Sequence, residues 1–302
     1  MVDLLARLIL ATAAGLIVLG VVAWTAGALY YDVARGSRFG WLLVTGWIVA
    51  VVTGFALWRP VWQPALLFAF LFVVFLCWWF SLRPSHARHW HPLTAQLARV
   101  TFAGDTATDA TVTVDNVRNA HYEAVGLVEP RYERRSYRLA NLQAADVLIC
   151  FWGSSWMCHP IFVFDFGDDG RLCISAEVRY RHGQRYNFAR SLYRQQELIF
   201  LVSDERDAIL RRTRYAEGQD VYLYRLLFSP EDVREAFAEF AESINDVYAT
   251  PRWYHGLTSN CTTSIDALRT QRGARLGPAA AGQRQPRPAF LRTGPARSVA
   301  PV

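Results

Sequence analysis

The amino-acid sequence predicts an α+β membrane protein, with three N-terminal transmembrane helices followed by a domain built on an antiparallel sheet. Three observations carry this. Ionic side chains are nearly absent before Ser81 and dense after it. Three long apolar runs fill the first segment. Short strand-like runs, then a helical one, fill the second. The 302 residues allow one or two domains, and a hydrophobic share of 52% excludes a disordered polymer. Five cysteines are too few to staple a chain of this length. The formal charge of +6 comes from 32 basic and 26 acidic residues, but the basic ones are all arginine and scattered. That pattern is compositional bias, and no nucleic acid is expected as a partner.

Leu8 to Leu29, Trp41 to Trp58 and Val61 to Leu82 are the apolar runs. At about 1.5 Å per residue, about 18–22 such residues match the hydrocarbon thickness of a bilayer. Buried core helices of a soluble protein are the alternative, and three such lengths in series are hard to cover. The first run is too long and too weakly flanked for a secretory signal. Only Arg59-Pro60 separates the second and third, which requires a tight hairpin or a strong tilt. Trp41, Trp58, Trp62, Trp78 and Trp79 lie near the expected ends, where an indole prefers the interface. Arg35, Arg38, Arg83 and Arg88 outnumber Arg7 and Arg59, so the positive-inside rule alone leans toward a cytoplasmic carboxy-terminal domain.

From Trp90 onward the pattern shortens. Ala110–Val117, Asp146–Trp152, Ile161–Phe166, Leu172–Val178, Leu198–Val202 and Val221–Leu226 read as strands bounded by turn residues. Gly167-Asp-Asp-Gly170 joins two of them closely enough for a hairpin. Ser229-Pro-Glu-Asp232 supplies an N-cap, a proline at the first helical position and acidic residues in the first turn. Val233, Phe237, Phe240, Ile244 and Val247 follow at helical spacing. A shorter helix is expected after Thr258-Ser-Asn260, with Cys261 in its first turn. Three segments result: a membrane anchor at 1–83, the soluble domain at 84–271 and a disordered Arg-, Pro-, Ala- and Gly-rich tail at 272–302.

Cys261 is the sharpest chemical feature. A helix start stabilises a thiolate through unpaired amides and the positive end of the dipole. On position alone, a free thiol packed as a small hydrophobe is the commoner outcome. Asn260-Cys-Thr262 also fits a glycosylation sequon, a weak match. His159 opens a strand and shares a face with Ile161 and Val163, where a satisfied core histidine is the ordinary reading. His86, His89 and His91 sit beside the membrane, where an interfacial role suits them. On the next strand Cys173, Ser175, Glu177 and Arg179 share one face. Glu177 there can orient an imidazole across the hairpin or pair with Arg179, and the ion pair is the simpler expectation. Cys150, Cys158 and Cys173 lack metal-ligand spacing, so no metal is expected. Gly153-Ser-Ser155 lacks the second glycine of a nucleophile elbow, and no phosphate loop is present. The run Asp204-Glu-Arg-Asp207 reads as a solvated turn.

Several multi-residue stretches, in one order, carry a resemblance. They are Val114-Asp-Asn-Val-Arg-Asn119, Tyr137-x-Leu139-x-x-Leu142, His159-Pro-x-Phe-x-Phe164, Ser175-Ala-Glu-Val-Arg179 and Arg194-Gln-Gln-Glu-Leu-Ile199. Asp204-Glu-Arg-Asp-x-Ile209, Val221-Tyr-Leu-Tyr-Arg225, Pro251-x-Trp-Tyr254 and Asn260-Cys-Thr-Thr263 complete the set. Over about Trp90 to Arg269 the chain resembles the family named for the N-terminal periplasmic domain of lipoprotein N-acyltransferase B (Lnb). The resemblance implies a circularly permuted papain-like thiol fold, with the histidine and its polar partner on adjacent strands and the cysteine later, on a helix. It implies Cys261 as nucleophile, His159 as its base and Glu177 as the third member, with no cofactor.

The activity so implied is transfer of an acyl chain from a diacylglyceryl lipid or lipoprotein to an amine through a cysteine thioester. Membrane lipids and lipoproteins are the implied partners. A papain-like amidase or peptidase of the cell envelope uses the same thiol pair and is the first alternative. A membrane-tethered binding domain that kept the fold without activity is the second. The family operates outside the bacterial inner membrane, and three spans with an inside amino terminus put the domain there too, against the arginine count.

Overall fold

The computed structural model describes residues 2–104, 110–124, 127–152, 158–184, 186–213, 219–259 and 261. The expected tail at 272–302, the Gly153-Ser154-Ser155 stretch, and Asn260, Thr262 and Thr263 beside Cys261 lie outside the described residues. Internal contacts divide the chain into two units. One joins Met1–His89 with Tyr180–Glu197 and Pro251–Leu257; the other joins Trp90–Arg179, Leu198–Thr250 and Thr258–Val302.

The first unit holds α1 (Val2–Ala28), α2 (Arg38–Leu57) and α3 (Trp62–Ser81). Each is long and apolar enough to cross a membrane, and α1 runs on through a π-helical turn at Leu29–Val33. Aromatic packing joins them: Trp24 meets Phe72, Phe75 and Trp79 edge to face, and the Trp47 indole donates to the Val22 carbonyl at 3.2 Å. Asp32 accepts from the Trp79 indole at 2.8 Å and from the Gln195 amide at 2.9 Å. Arg194 caps the same place, covering the Trp79 ring at 4.0 Å and donating to the Leu82 carbonyl at 2.8 Å. Trp79 is therefore an internal anchor, while Trp41, Trp58, Trp62 and Trp78 are exposed as interfacial indoles would be. At Gly27 a Cβ would fall 1.7 Å from the Tyr193 hydroxyl, so a larger residue there would displace that ring. Short helix α4 (Phe188–Ser191) belongs to the same unit, and the His89 and His182 rings meet at a tilt with centroids 4.8 Å apart.

The second unit is a mixed sheet with a helix on each face. Its strands are β1 (Arg99–Ala103), β2 (Thr111–Arg118), β5 (Tyr132–Arg138), β6 (Ala144–Trp152), β7 (Cys158–Asp165), β8 (Arg171–Arg179), β9 (Glu197–Asp204, with Glu197 in the other unit) and β10 (Gln219–Arg225). The order is β1-β2-β9-β8-β7-β6-β10, with β5 added on β2, and β3 (His121–Ala124) with β4 (Leu127–Glu129) make a separate ribbon. The pairs β6–β7, β7–β8, β6–β10, β1–β2 and β2–β5 are antiparallel, whereas β2 meets β9 through a parallel bridge, Arg118 to Ser203. All six expected strands are present. The expected β7–β8 hairpin turns at Gly167–Asp169 and closes on Gly170, whose φ of +96° only glycine adopts freely.

Strand alternation sorts the two faces. Phe162, Phe164 and Phe200 meet Phe237 and Phe240 of α6 (Pro230–Ala249). That helix starts on a capping box in which the Ser229 and Asp232 side chains each bond the other's backbone N–H. On the opposite face, Leu148, Cys150, Ile161, Val163 and Cys173 pack under Ala208 of α5 (Glu205–Thr213).

Helix α5 replaces the expected solvated turn at Asp204–Asp207. Acids in its first turn and Arg211 and Arg212 in its last suit the helix dipole. Asp207 is fully buried, and its carboxylate takes both ends of the Arg118 fork at 2.8 and 3.0 Å, the Ala120 amide at 2.9 Å and the Tyr122 hydroxyl at 2.7 Å. A buried bidentate pair is costly to break from one side, because the survivor keeps an uncompensated charge. Asp207→Asn is expected to destabilise the domain by about 3–5 kcal/mol. Urea unfolding of the full chain in detergent measures it, and a loss under about 1 kcal/mol, as for a surface pair, contradicts this account.

Candidate active site

The antiparallel register of β7 and β8 places Phe162 opposite Ile174 and Val163 opposite Cys173. Continued three residues along each strand, it sets His159 opposite Glu177, and their side chains meet with Nε2 and Oε1 3.0 Å apart. On the other side, β6 pairs Cys150 with His159. Cys150, His159 and Glu177 thus form one row across three strands, on the face covered by α5. His159 is 2% exposed.

Glu177 Oε1 also accepts from Arg212 of α5 at 2.8 Å and from the Ser175 hydroxyl at 3.3 Å. The structure therefore brings two of the three expected site residues together and adds a cation the sequence reasoning did not select. Arg179, the simpler expected partner of Glu177, instead donates to the Thr94 and Ala95 carbonyls and covers the Trp90 ring at 4.3 Å. Arg212 belongs to the helix hidden under the charge run. Acidic residues at 204–207 with arginines at 211 and 212 are a helix-dipole pattern, the signal from which Arg212 can be found.

Burial alone pushes the Glu177 carboxyl up. The His159 and Arg212 charges and the His159 hydrogen bond outweigh that and hold it well below the usual carboxylate range. Burial pulls His159 down, against the pull of Glu177 and with repulsion from Arg212 and Arg211. The resting pair is a neutral imidazole against an ionised carboxylate. Nε2 is the ring nitrogen that faces the carboxylate, and a proton carried there leaves Nδ1 as the basic nitrogen.

Cys261 is buried, helical and in the same unit as His159 and Glu177. The neighbouring thiols are poorly suited to attack. Burial pushes Cys150 up to about 11 and Cys173 well above its ordinary value, so both stay protonated at neutral pH. Cys158 neighbours His159 in sequence, and strand alternation puts it on the other face. Among the described residues, no group of three metal-ligating side chains is close enough to hold an ion.

This arrangement sits in a recognisable class of domain. The model of the Lnb N-terminal periplasmic domain matches residues 129–282, just over half the chain. The chain belongs to that family. No curated protein and no solved structure matches it.

The site makes stability depend on pH. Below about 6.5 the unfolded chain takes up a proton at His159 that the native state resists, so stability falls as pH drops through that value. Below about 4.3 the unfolded chain also protonates at Glu177 while the native carboxylate stays charged, and the stability Glu177 contributes above that pH is lost as pH falls toward its depressed native value. Urea unfolding of the full chain in detergent from pH 8 to about 3 is expected to show both losses. His159→Gln should flatten the first, and an unchanged slope between pH 6.5 and 5 counts against a neutral buried His159.

Proposed function

We propose that this protein is a membrane-anchored thiol acyltransferase that moves an acyl chain from a diacylglyceryl lipid or lipoprotein to an amine. The observation that carries the reading is the pair of buried His159 and half-buried Glu177, 3.0 Å apart on adjacent strands of a domain whose helical Cys261 follows in the chain. Three apolar helices suit a substrate held in the bilayer.

In the first half-reaction the Cys261 thiol gives its proton to His159 Nδ1, and sulfur attacks the ester carbonyl. The C–S bond forms, the C–O bond of the glyceryl ester breaks, and the imidazolium protonates the leaving alkoxide. In the second, an amine attacks the thioester, the C–N bond forms and the C–S bond breaks. The proton lost by the amine passes through His159 to the sulfur, which reforms the thiol. Glu177 stabilises the imidazolium that exists between these proton transfers. The Cys261 backbone amide is the simplest oxyanion donor. The domain faces outside the inner membrane, with α1, α2 and α3 spanning it and the amino terminus inside.

Purified full-length protein incubated with a diacylated lipopeptide is expected to yield a product with one acyl chain moved to the amine, read by mass spectrometry. Cys261→Ala abolishes it. Cleaved peptide without an acyl shift points to the amidase, and a Cys261→Ala protein equal to wild type in every assay overturns thiol chemistry. For topology, an alkaline phosphatase fused after Ala87 is expected to be active, and an inactive, stable fusion places the domain in the cytoplasm.

A further inference from the structure

We infer that Arg212 is a positioning residue for this site, fixing the Glu177 carboxylate against His159 from a different element of the fold. The inference rests on the thiol-transfer reading for its chemistry, though not for its geometry. A single oxygen, Glu177 Oε1, is shared by His159 at 3.0 Å, Arg212 at 2.8 Å and Ser175 at 3.3 Å. A glutamate has three side-chain torsions, and a strand position alone leaves its carboxylate free to swing. A guanidinium held by packing removes that freedom. The Arg212 side chain is 9% exposed, and its helix is tied down five residues earlier by the buried Asp207–Arg118 pair. The fork is therefore delivered by a rigid element, as precise orientation of an imidazole requires.

Arg212 also sets the charge balance. Its cation favours the ionised form of Glu177 and opposes a proton on His159. Other groups act on the same pair: Arg211 on α5, Arg118 on β2, the Cys150 thiol on β6 and Ser175 on the strand of Glu177. Of these, Arg212 is the cation hydrogen-bonded to the carboxylate. It keeps the resting ring neutral and basic while holding in place the anion that stabilises the imidazolium formed during turnover. Arg212 touches neither the substrate nor the reacting atoms in this scheme.

The test uses full-length protein in detergent micelles, a diacylated lipopeptide as substrate, and carbon-13-labelled histidine to follow the His159 titration. Arg212→Gln is expected to lower kcat about tenfold at pH 6.5 with KM within about twofold. The acid limb of the rate profile and the His159 midpoint both move up by about one pH unit. Arg212→Lys keeps the charge and restores both positions. An equal loss at every pH with an unmoved limb, an unchanged rate, or a Lys variant as impaired as Gln overturns the inference. Should Arg212→Gln fail to fold, the Glu177→Gln/Arg212→Gln double variant has no unpaired carboxylate. A residue acting through Glu177 predicts that it matches Glu177→Gln in kcat, and a further loss overturns that. If wild type transfers no acyl chain, the reaction reading fails, while the His159 titration still decides whether Arg212 governs the pair.

Discussion

A carboxylate that must stay ionised while largely buried is the constraint on which this domain depends. Glu177 can hold its charge beside His159 only if a cation reaches it from elsewhere, since a desolvated anion without partners would take up a proton. Its own strand does not supply that cation, because Arg179 turns to the Thr94 and Ala95 carbonyls. Arg212 supplies it from the last turn of α5. That turn lies where it does because Asp207, in the first turns of the same helix, is bound by Arg118, Ala120 and Tyr122. Two ionic nodes at opposite ends of one nine-residue helix, one buried and one part-buried, thus connect β2 to the site. The apolar contacts of Ala208 between them hold the helix against the sheet.

Much of this fold is legible in the sequence, and the limits have physical causes. Strands β6 to β8 announce themselves because alternation and the Gly167–Gly170 turn are local signals. Helix α6 does so because a capping box and a clean apolar stripe coincide. Helix α5 does not. Its buried surface is small, and its stability comes from Asp207 meeting Arg118, a pairing across 89 positions of chain that no local pattern encodes. A run of four charged residues is usually solvated, and here one of the four is fully buried. The same reasoning explains why Arg179 looked like the partner of Glu177. Sequence spacing reports which side chains share a strand face, whereas Trp90 and the Thr94 carbonyl claim Arg179 from a distant segment.

The unit of long apolar helices shows the same division between local and distant signals. Length and apolarity identify three helices able to cross a membrane, and their observed ends at Ala28, Leu57 and Ser81 lie within a few residues of the expected ones. What composition conceals is that Tyr180–Glu197, far along the chain, belongs with them. Gln195 and Arg194 come to Asp32 and Trp79, and Glu197 accepts from the Ser85 amide at 2.9 Å. The motif Arg194-Gln-Gln-Glu197 therefore has a structural purpose: an acid near the end of an apolar helix needs donors, and this segment brings them.

In the proposed reaction the choice of nucleophile follows from the same accounting of charge. Cys150 stands directly across from His159 in the sheet, nearer in the strand pairing than any rival, and position alone would select it. Its protonation counts against it, because a thiol pushed up to about 11 is almost wholly protonated at neutral pH. Cys173 fails more completely. Cys261, the proposed nucleophile, is helical and lies on none of these strands. In that proposal the histidine and its carboxylate sit on the sheet, where burial and Arg212 set their charges. The proposed nucleophile comes from a separate element of the chain, as a substrate entering between a thiol and its base would require.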